Sequence, residues 1–285
     1  MKTIDVHTHG IGGFDTTAVS EYDILRIAEI HGSHGVSEIV PTVFPSTISL
    51  MRENMQTIKD AMALQKPGGT EAMIAGIHLE GPFLNPARCG ALNADSFIVP
   101  DEYGLKLLLE GFEDVVRIMT VSPELDGAPD IIKTISGMGV IVSMGHSDAT
   151  YSEAEEGFNS GARAITHIFN AMRGIHHREP GIAGFGLMNK DIYIEVIADS
   201  FHLDLKLIDL IFSVKDPERI ILISDSVKNT KTEAVSDGIM NGEGRLMGGS
   251  LTVTESAERL IKAGINKEVV MKSISENPAR YLNSG

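Results

Sequence analysis

Short apolar runs rich in β-branched residues alternate with stretches whose apolar positions recur every three or four residues, from the third residue almost to the end of the chain. The first kind reads as buried strands and the second as amphipathic helices. The runs predict strands over residues 3–6, 38–43, 73–79, 115–121, 140–144, 164–166, 193–198 and 220–223. Helical periodicity lies between them over 21–33, 49–64, 102–110, 129–136, 152–160, 203–213 and 255–263, with a closing pair at 267–275 and 278–282. Thr150-Tyr151-Ser152-Glu153 has the spacing of a capping box at the start of the fifth helix. The Gly-rich stretch 176–188 lacks a clear period, and 238–249 reads as a hairpin or lid loop after the eighth strand.

Several of the runs are continuous, such as Ile220-Ile221-Leu222-Ile223, which fits parallel strands buried on both faces. Alternating strands and helices predict an α/β fold. Eight such units in about 250 residues match a (β/α)8 TIM-type barrel. The rival is a doubly wound open sheet; its dinucleotide-binding form is weakened because no G-x-G-x-x-G follows the first strand. No second domain is apparent, so the expectation is a single barrel over residues 1–285.

Composition narrows the function. The chain has no Trp and only 5% aromatic residues, so aliphatic side chains must fill its core. A formal charge of −15 argues against nucleic acid and anionic membrane as partners. It leaves a small anionic substrate open, because one Arg can hold a phosphate within an acidic protein. No run of about 18 apolar residues suggests a membrane span, and no secretory signal is visible. The single Cys89 excludes an internal disulfide framework and suits a reducing cytoplasm. It is expected to be a buried structural thiol rather than a reactive one.

The chemistry gathers at the strand ends. His7 and His9 stand two apart, on one face of an extended strand. Strand three ends in His78-Leu79-Glu80-Gly81-Pro82, strand five in Gly145-His146-Ser147-Asp148, strand six in Thr166-His167 and strand eight in Ser224-Asp225. Strand seven leads into Asp199-Ser200-Phe201-His202. A single His at a strand end more often satisfies a backbone group, and Glu80 or Asp225 alone could cap a turn. Barrels, however, carry their catalytic groups at the C-terminal rim, and imidazoles with carboxylates gathered there point to a divalent metal. His78 is left unassigned. His31, His34, His176 and His177 have no strand-end position and are expected at the surface.

Taken together, Asp5-Val6-His7-Thr8-His9-Gly10, His78-Leu79-Glu80-Gly81-Pro82-Phe83, Gly145-His146-Ser147-Asp148-Ala149, Thr166-His167-Ile168-Phe169-Asn170-Ala171-Met172, Arg178-Glu179-Pro180-Gly181, Ala198-Asp199-Ser200-Phe201-His202, Ser224-Asp225 and the tail Glu276-Asn277-Pro278-Ala279-Arg280 resemble the amidohydrolase superfamily. More narrowly, the ordered set resembles the N-acetylglucosamine-6-phosphate deacetylases. The resemblance implies a barrel of the metal-dependent hydrolase kind. Glu80, His146 and His167 would hold the main metal, with His7 and His9 completing a second site in members that bind two ions. Zinc is the first expectation, with iron, manganese or cobalt as alternatives. Asp225 would be the catalytic acid/base. Asn170, Ala171, Arg178, His202, Met247 and Gly248 would bind an acetamido sugar phosphate. The family's phosphate-binding arginine can come from a neighbouring subunit, which implies a homodimer.

Two departures from that pattern stand out. The flanking strands that build a β-sandwich beside the barrel in such proteins are absent, so no separate β-sandwich domain is expected. The family's Gly-x-His-Asn segment reads Gly90-Ala91-Leu92-Asn93 here, and Leu92 has no polar hydrogen to offer a substrate. The implied reaction is removal of the acetyl group from N-acetylglucosamine-6-phosphate or a close relative. The alternatives are hydrolysis of a different acylamino or cyclic amide substrate, or a weakly catalytic sugar-phosphate-binding homologue.

Overall fold

The computed structural model describes residues 2–17, 20–66, 68–232 and 238–285. Eight parallel strands form the barrel: β1 (Ile4–Thr8), β2 (Glu38–Val43), β3 (Ile77–Glu80), β4 (Val116–Val121), β5 (Ile141–Met144), β6 (Ala164–Ile165), β7 (Tyr193–Ile197) and β8 (Ile220–Ile223). Each pairs with the next in sequence order, for instance Ile194 with Ile220 and Ile118 with Ile141. The seam between β8 and β1 is joined at the upper rim, where Asp225 N–H donates to His7 C=O at 2.9 Å and His9 N–H to Ser226 C=O at 2.7 Å. The backbones of three candidate site residues therefore bridge the seam of a nearly closed barrel.

Alternation along β7 shows how the layers divide. Ile194 and Val196 join the large apolar layer between barrel and helices, whereas Tyr193 and Ile197 belong to a smaller cluster with Val40, Ile118, Ile141 and Ile221. Tyr281, on the last helix (Glu276–Leu282), is fully buried in that second cluster, its ring 5.2 Å from that of Tyr193. Outside the barrel lie α1 (Glu21–Ser33), α2 (Ile48–Leu64), α3 (Glu102–Leu109), α4 (Ala128–Gly137), α5 (Tyr151–Asn159), α6 (Gly181–Met188), α7 (Leu205–Val214) and α8 (Val253–Lys262). The capping box predicted for α5 is present: Thr150 Oγ1 accepts from Glu153 N–H and Glu153 accepts from Thr150 N–H at 2.7 Å.

Four expectations change. The run at 73–79 splits into Met73–Ile74 and β3; Gly76 between them has φ +140°, and a Cβ there would lie 2.2 Å from Arg117 Cγ. Strand β1 continues through His7 to Thr8, because its polar end faces the interior rather than solvent. Helix α6 shows no period because it is buried on nearly every side, from Gly181 to Gly186. His31 is not at the surface: it is fully buried on α1, its Nε2 3.1 Å from Thr8 Oγ1, and burial lowers it to about 3, so it is neutral. Residues 238–249 form the expected hairpin, with Met240 bridged to Leu246.

Candidate active site

The strands deliver the predicted ligands to one point. Glu80 Oε1 lies 3.1 Å from both His146 Nε2 and His167 Nε2, which are 3.2 Å apart. A second triangle stands beside the first. His7 Nε2 is 3.3 Å from His9 Nε2 and 3.3 Å from Asp225 Oδ1, and His9 Nε2 is 3.6 Å from Asp225 Oδ1. Glu80 joins the two, its Oε2 being 3.2 Å from His9 Nε2. All six residues are buried. His146, His167 and Asp225 each adopt a left-handed backbone at the strand end, with φ of 47°, 29° and 47°. Such strain in non-glycine residues concentrates where function fixes a side chain.

Both triangles fit a divalent cation. Zinc binds imidazole nitrogen at about 2.0–2.1 Å, so neighbouring ligand atoms of a tetrahedron stand about 3.3 Å apart. The tautomers agree. His146 Nδ1 meets the carbonyl of Arg88 at 3.0 Å and must carry the hydrogen. In the neutral ring its Nε2 is then a lone pair facing a carboxylate oxygen and a second imidazole, an arrangement that calls for positive charge at the centre. His7 Nδ1 is paired in the same way with Glu195 Oε2 at 3.2 Å. Burial drives His7 well below the usual histidine range, so it offers a neutral ring.

Electrostatics separate the carboxylates. Burial would raise Glu80, but the facing imidazoles of His146, His167 and His9 hold it well below the ordinary range. Burial, then the nearby charges of Glu80, Glu195, Asp5 and Asp199, push Asp225 well above it. Burial likewise raises Glu195 to about 8. A divalent charge acts on these two in the opposite sense. Two carboxyl groups pushed apart in this way suit division into ligand and proton carrier.

A pocket opens over these groups. Asn170, Ala171, His202, Met247 and Gly248 line it together with Glu80 and Asp225. Gly248 passes so close to the Asp225 carbonyl that a Cβ would lie 2.1 Å from it. His202 is fixed between Asp199 Oδ2 and Met247 C=O, both at 3.0 Å. Leu92 is one of the apolar residues in the wall, as are Leu246, Val227 and Phe44. Arg178 is exposed on the segment before α6 and does not line the pocket. Cys89 is half-buried, not buried as expected, and Arg245 Nη1 approaches its Sγ at 3.7 Å.

Three supporting residues were not predicted. Glu195 holds His7; its signal is a charge within the apolar run Tyr193-Ile194-Glu195-Val196-Ile197. Phe44 stacks on the His9 ring at 3.8 Å and has no sequence signature. Glu124 accepts from Ser147 Oγ at 2.7 Å and from Asn85 Nδ2 at 2.8 Å, tying the loops after β3 and β5 together. The unassigned His78 is buried beneath the centre, bonded to Thr42 and Thr120 Oγ1 at 3.3 and 2.8 Å.

A nearly closed barrel with an imidazole–carboxylate centre at its C-terminal rim defines a class of hydrolase, and residues 2–285 match the sequence profile of the amidohydrolase family, to which the chain belongs. Its relatives include amino-sugar 6-phosphate deacetylases. The N-acetylglucosamine-6-phosphate deacetylase of Bacillus subtilis is 31% identical over 300 residues, covering 98% of this chain and 74% of that protein. The N-acetylgalactosamine-6-phosphate deacetylase of Escherichia coli O157:H7 is 29% identical over 295 residues, covering 98% and 76%. Among solved structures, N-acetyl-D-glucosamine-6-phosphate deacetylase from Mycobacterium smegmatis superposes with a TM-score of 0.91 at 28% identity, over 99% of this chain and 78% of that one. A mutant of that enzyme in complex with N-acetyl-D-glucosamine-6-phosphate gives 0.89 at 29% identity, over 99% and 77%.

Proposed function

We propose that the chain hydrolyses the acetamide of an N-acetylated amino-sugar 6-phosphate, releasing acetate and the free amino sugar phosphate. The observation that carries this is the placing of Asp225 and the Glu80–His146–His167 triangle in the wall of one pocket with Asn170 and His202. Glu80, His146 and His167 would hold one divalent ion, and His7 and His9 a second where two are bound. An ion held there supplies Lewis acidity toward the amide carbonyl and the attacking water. Asp225 takes the proton of that water as its oxygen bonds to the acetyl carbon. The same carboxyl then gives a proton to the nitrogen as the C–N bond breaks, because an amine leaves far more readily than its anion. Asn170, Ala171, Met247 and Gly248 orient the sugar, so the amide is presented in one pose.

Arg178, exposed and outside this chain's own pocket, suits an arginine lent to a second copy, which supports a homodimer. The lone Cys89 fits a cytoplasmic enzyme. Among the described residues no helix is long and apolar enough to cross a membrane.

The apolar wall at Leu92 favours a second reading, a different acylamino substrate on the same centre. One panel separates the two: acetate release from N-acetylglucosamine and N-acetylgalactosamine, each with and without the 6-phosphate. The proposal expects turnover of a phosphorylated sugar well above its unphosphorylated counterpart. Equal or absent turnover across the panel would favour the second reading.

A further inference from the structure

We propose that Arg88 is a positioning residue for the His146 ligand: held on Asp148, its side chain keeps the Arg88 backbone carbonyl against His146 Nδ1, and so keeps His146 Nε2 aimed at Glu80 and His167. The inference rests on the reading of that triangle as a metal site and names what holds one corner of it in register.

The loop after β3 runs alongside His146 and gives the pocket part of its wall, through Gly90, Ala91 and Leu92. Gly90 passes so near that a Cβ built on it would lie 3.7 Å from His146 Cε1. Earlier in the loop, Asn85 Oδ1 accepts from Ala87 N–H at 2.9 Å and starts a short 3-10 helix, Pro86–Arg88. That helix ends with Arg88 C=O accepting the His146 Nδ1 hydrogen at 3.0 Å. The Arg88 side chain reaches Asp148, in the same loop as His146. Its Nε donates to Asp148 Oδ1 at 2.8 Å, and Nη2 shares that oxygen. Arg88 thus meets the loop after β5 twice, by its carbonyl at His146 and by its guanidinium at Asp148.

Asp148 is itself a fixed post. Its N–H donates to Glu124 Oε1 at 2.6 Å. Arg173, from the loop after β6, donates through Nη2 to Asp148 Oδ2 at 2.7 Å, and its backbone N–H donates to Ser147 C=O at 2.9 Å. The hydrogen bonds from Arg173, and then from Arg88, hold the Asp148 carboxyl below its ordinary range, so Arg88 faces a charged partner. The side chains of Arg88 and Asp148 are 39% and 33% exposed. A pair so open to water adds little to folding stability. What it can fix is a direction, because Nε2 follows wherever the partner of Nδ1 holds the ring. The loop has other ties: Asn85 N–H donates to His146 C=O at 3.2 Å, and Arg245 Nη1 donates to Gly90 C=O. Removing the Arg88 side chain therefore loosens its carbonyl without freeing it.

The test uses the full chain, stripped of metal and titrated with zinc against a chromophoric chelator. Affinity at the Glu80–His146–His167 site should fall about tenfold in Arg88→Ala, the low end for loss of an orienting partner. Arg88→Lys keeps a cation that can reach the same carboxylate and should recover part of the loss. Arg88→Ala combined with Asp148→Ala should bind no more weakly than the weaker single variant, because both changes remove one contact. The melting midpoint of metal-free Arg88→Ala should stay within about 4 °C of wild type. An Arg88→Ala site as tight as wild type overturns the proposal. So does a fall in affinity that comes with a fall in midpoint beyond that range, which would be general loosening. If wild type takes up no zinc, the metal reading fails and the ring decides. Nitrogen NMR of the His146 imidazole should then show the hydrogen on Nδ1 in wild type and a smaller share of that tautomer in Arg88→Ala; equal shares in both would refute the positioning role.

Discussion

Glu195→Leu separates the groups that touch the centre from those that aim them. Glu195 is fully buried and its Oε2 sits 3.2 Å from His7 Nδ1. As a carboxylate it accepts the Nδ1 hydrogen and leaves the Nε2 lone pair pointing at His9 and Asp225. Leucine fills similar space but strands that N–H away from water, at a cost of about 1–3 kcal/mol. The ring can recover a partner only by turning, which moves Nε2 off the triangle. Loss of such an orienting partner typically weakens a metal site about 10–100-fold, or about 1.4–2.8 kcal/mol. The effect should fall on the His7–His9 site. The Glu80–His146–His167 site should keep its affinity within about threefold, since His146 is oriented by Arg88 C=O instead. Competition with a chromophoric chelator reads both sites without turnover, and Glu195→Gln, which keeps an acceptor oxygen, should lie near wild type. If the Leu variant binds two ions as tightly as wild type, Glu195 does not orient His7. If Gln and Leu weaken binding equally, charge and not the hydrogen bond is what matters.

Other consequences can be checked as directly. Asp225→Asn should retain metal at the Glu80 site and lose turnover by at least about 10²-fold, the low end of general acid–base contributions; unchanged acetate release would remove Asp225 from proton transfer. Lys215 is buried, donating to Gly186 C=O at 2.7 Å, and burial, then the nearby Arg219 charge, lowers it to about 7. Below that pH the lysine is charged in both folded and unfolded states. Between about 7 and its unfolded value near 10.4, the unfolded chain binds the extra proton, so stability rises with pH. Denaturant melts should show wild type gaining on Lys215→Met by up to about 1.4 kcal/mol per pH unit in that window. A pH-independent difference would mean that the ammonium stays charged.

Much of the barrel was legible because buried parallel strands announce themselves as apolar runs, and Ile220–Ile223 begins and ends where the pattern does. What the pattern hid was polar residues turned inward. His7 and Thr8 continue β1 because both side chains are buried, His7 at the metal-ligand cluster and Thr8 against His31 of α1. Glu195 could have been found, since a carboxylate inside a fully buried strand needs a partner. His31 could also have been placed: Ile24, Ile27, Ala28 and His31 lie on one stripe of α1, at spacings of three and four. Phe44 and Glu124 could not, because long-range packing alone brings them to His9 and Ser147. The candidate ligands could be picked out because each lies at or just past the end of a strand. The contact of Arg245 Nη1 with Gly90 C=O at 3.0 Å was not legible, since it depends on how the hairpin folds over the loop at Gly90.

The central claim is that Glu80, His146 and His167 surround a divalent ion against which Asp225 works. Anomalous diffraction from crystals grown with metal and the amino-sugar phosphate product tests it directly. The account predicts a peak about 2.0–2.2 Å from Glu80 Oε1, His146 Nε2 and His167 Nε2, with the product's free amine beside Asp225. Metal-replete crystals whose anomalous signal lies elsewhere, or with product bound away from these residues, would contradict it.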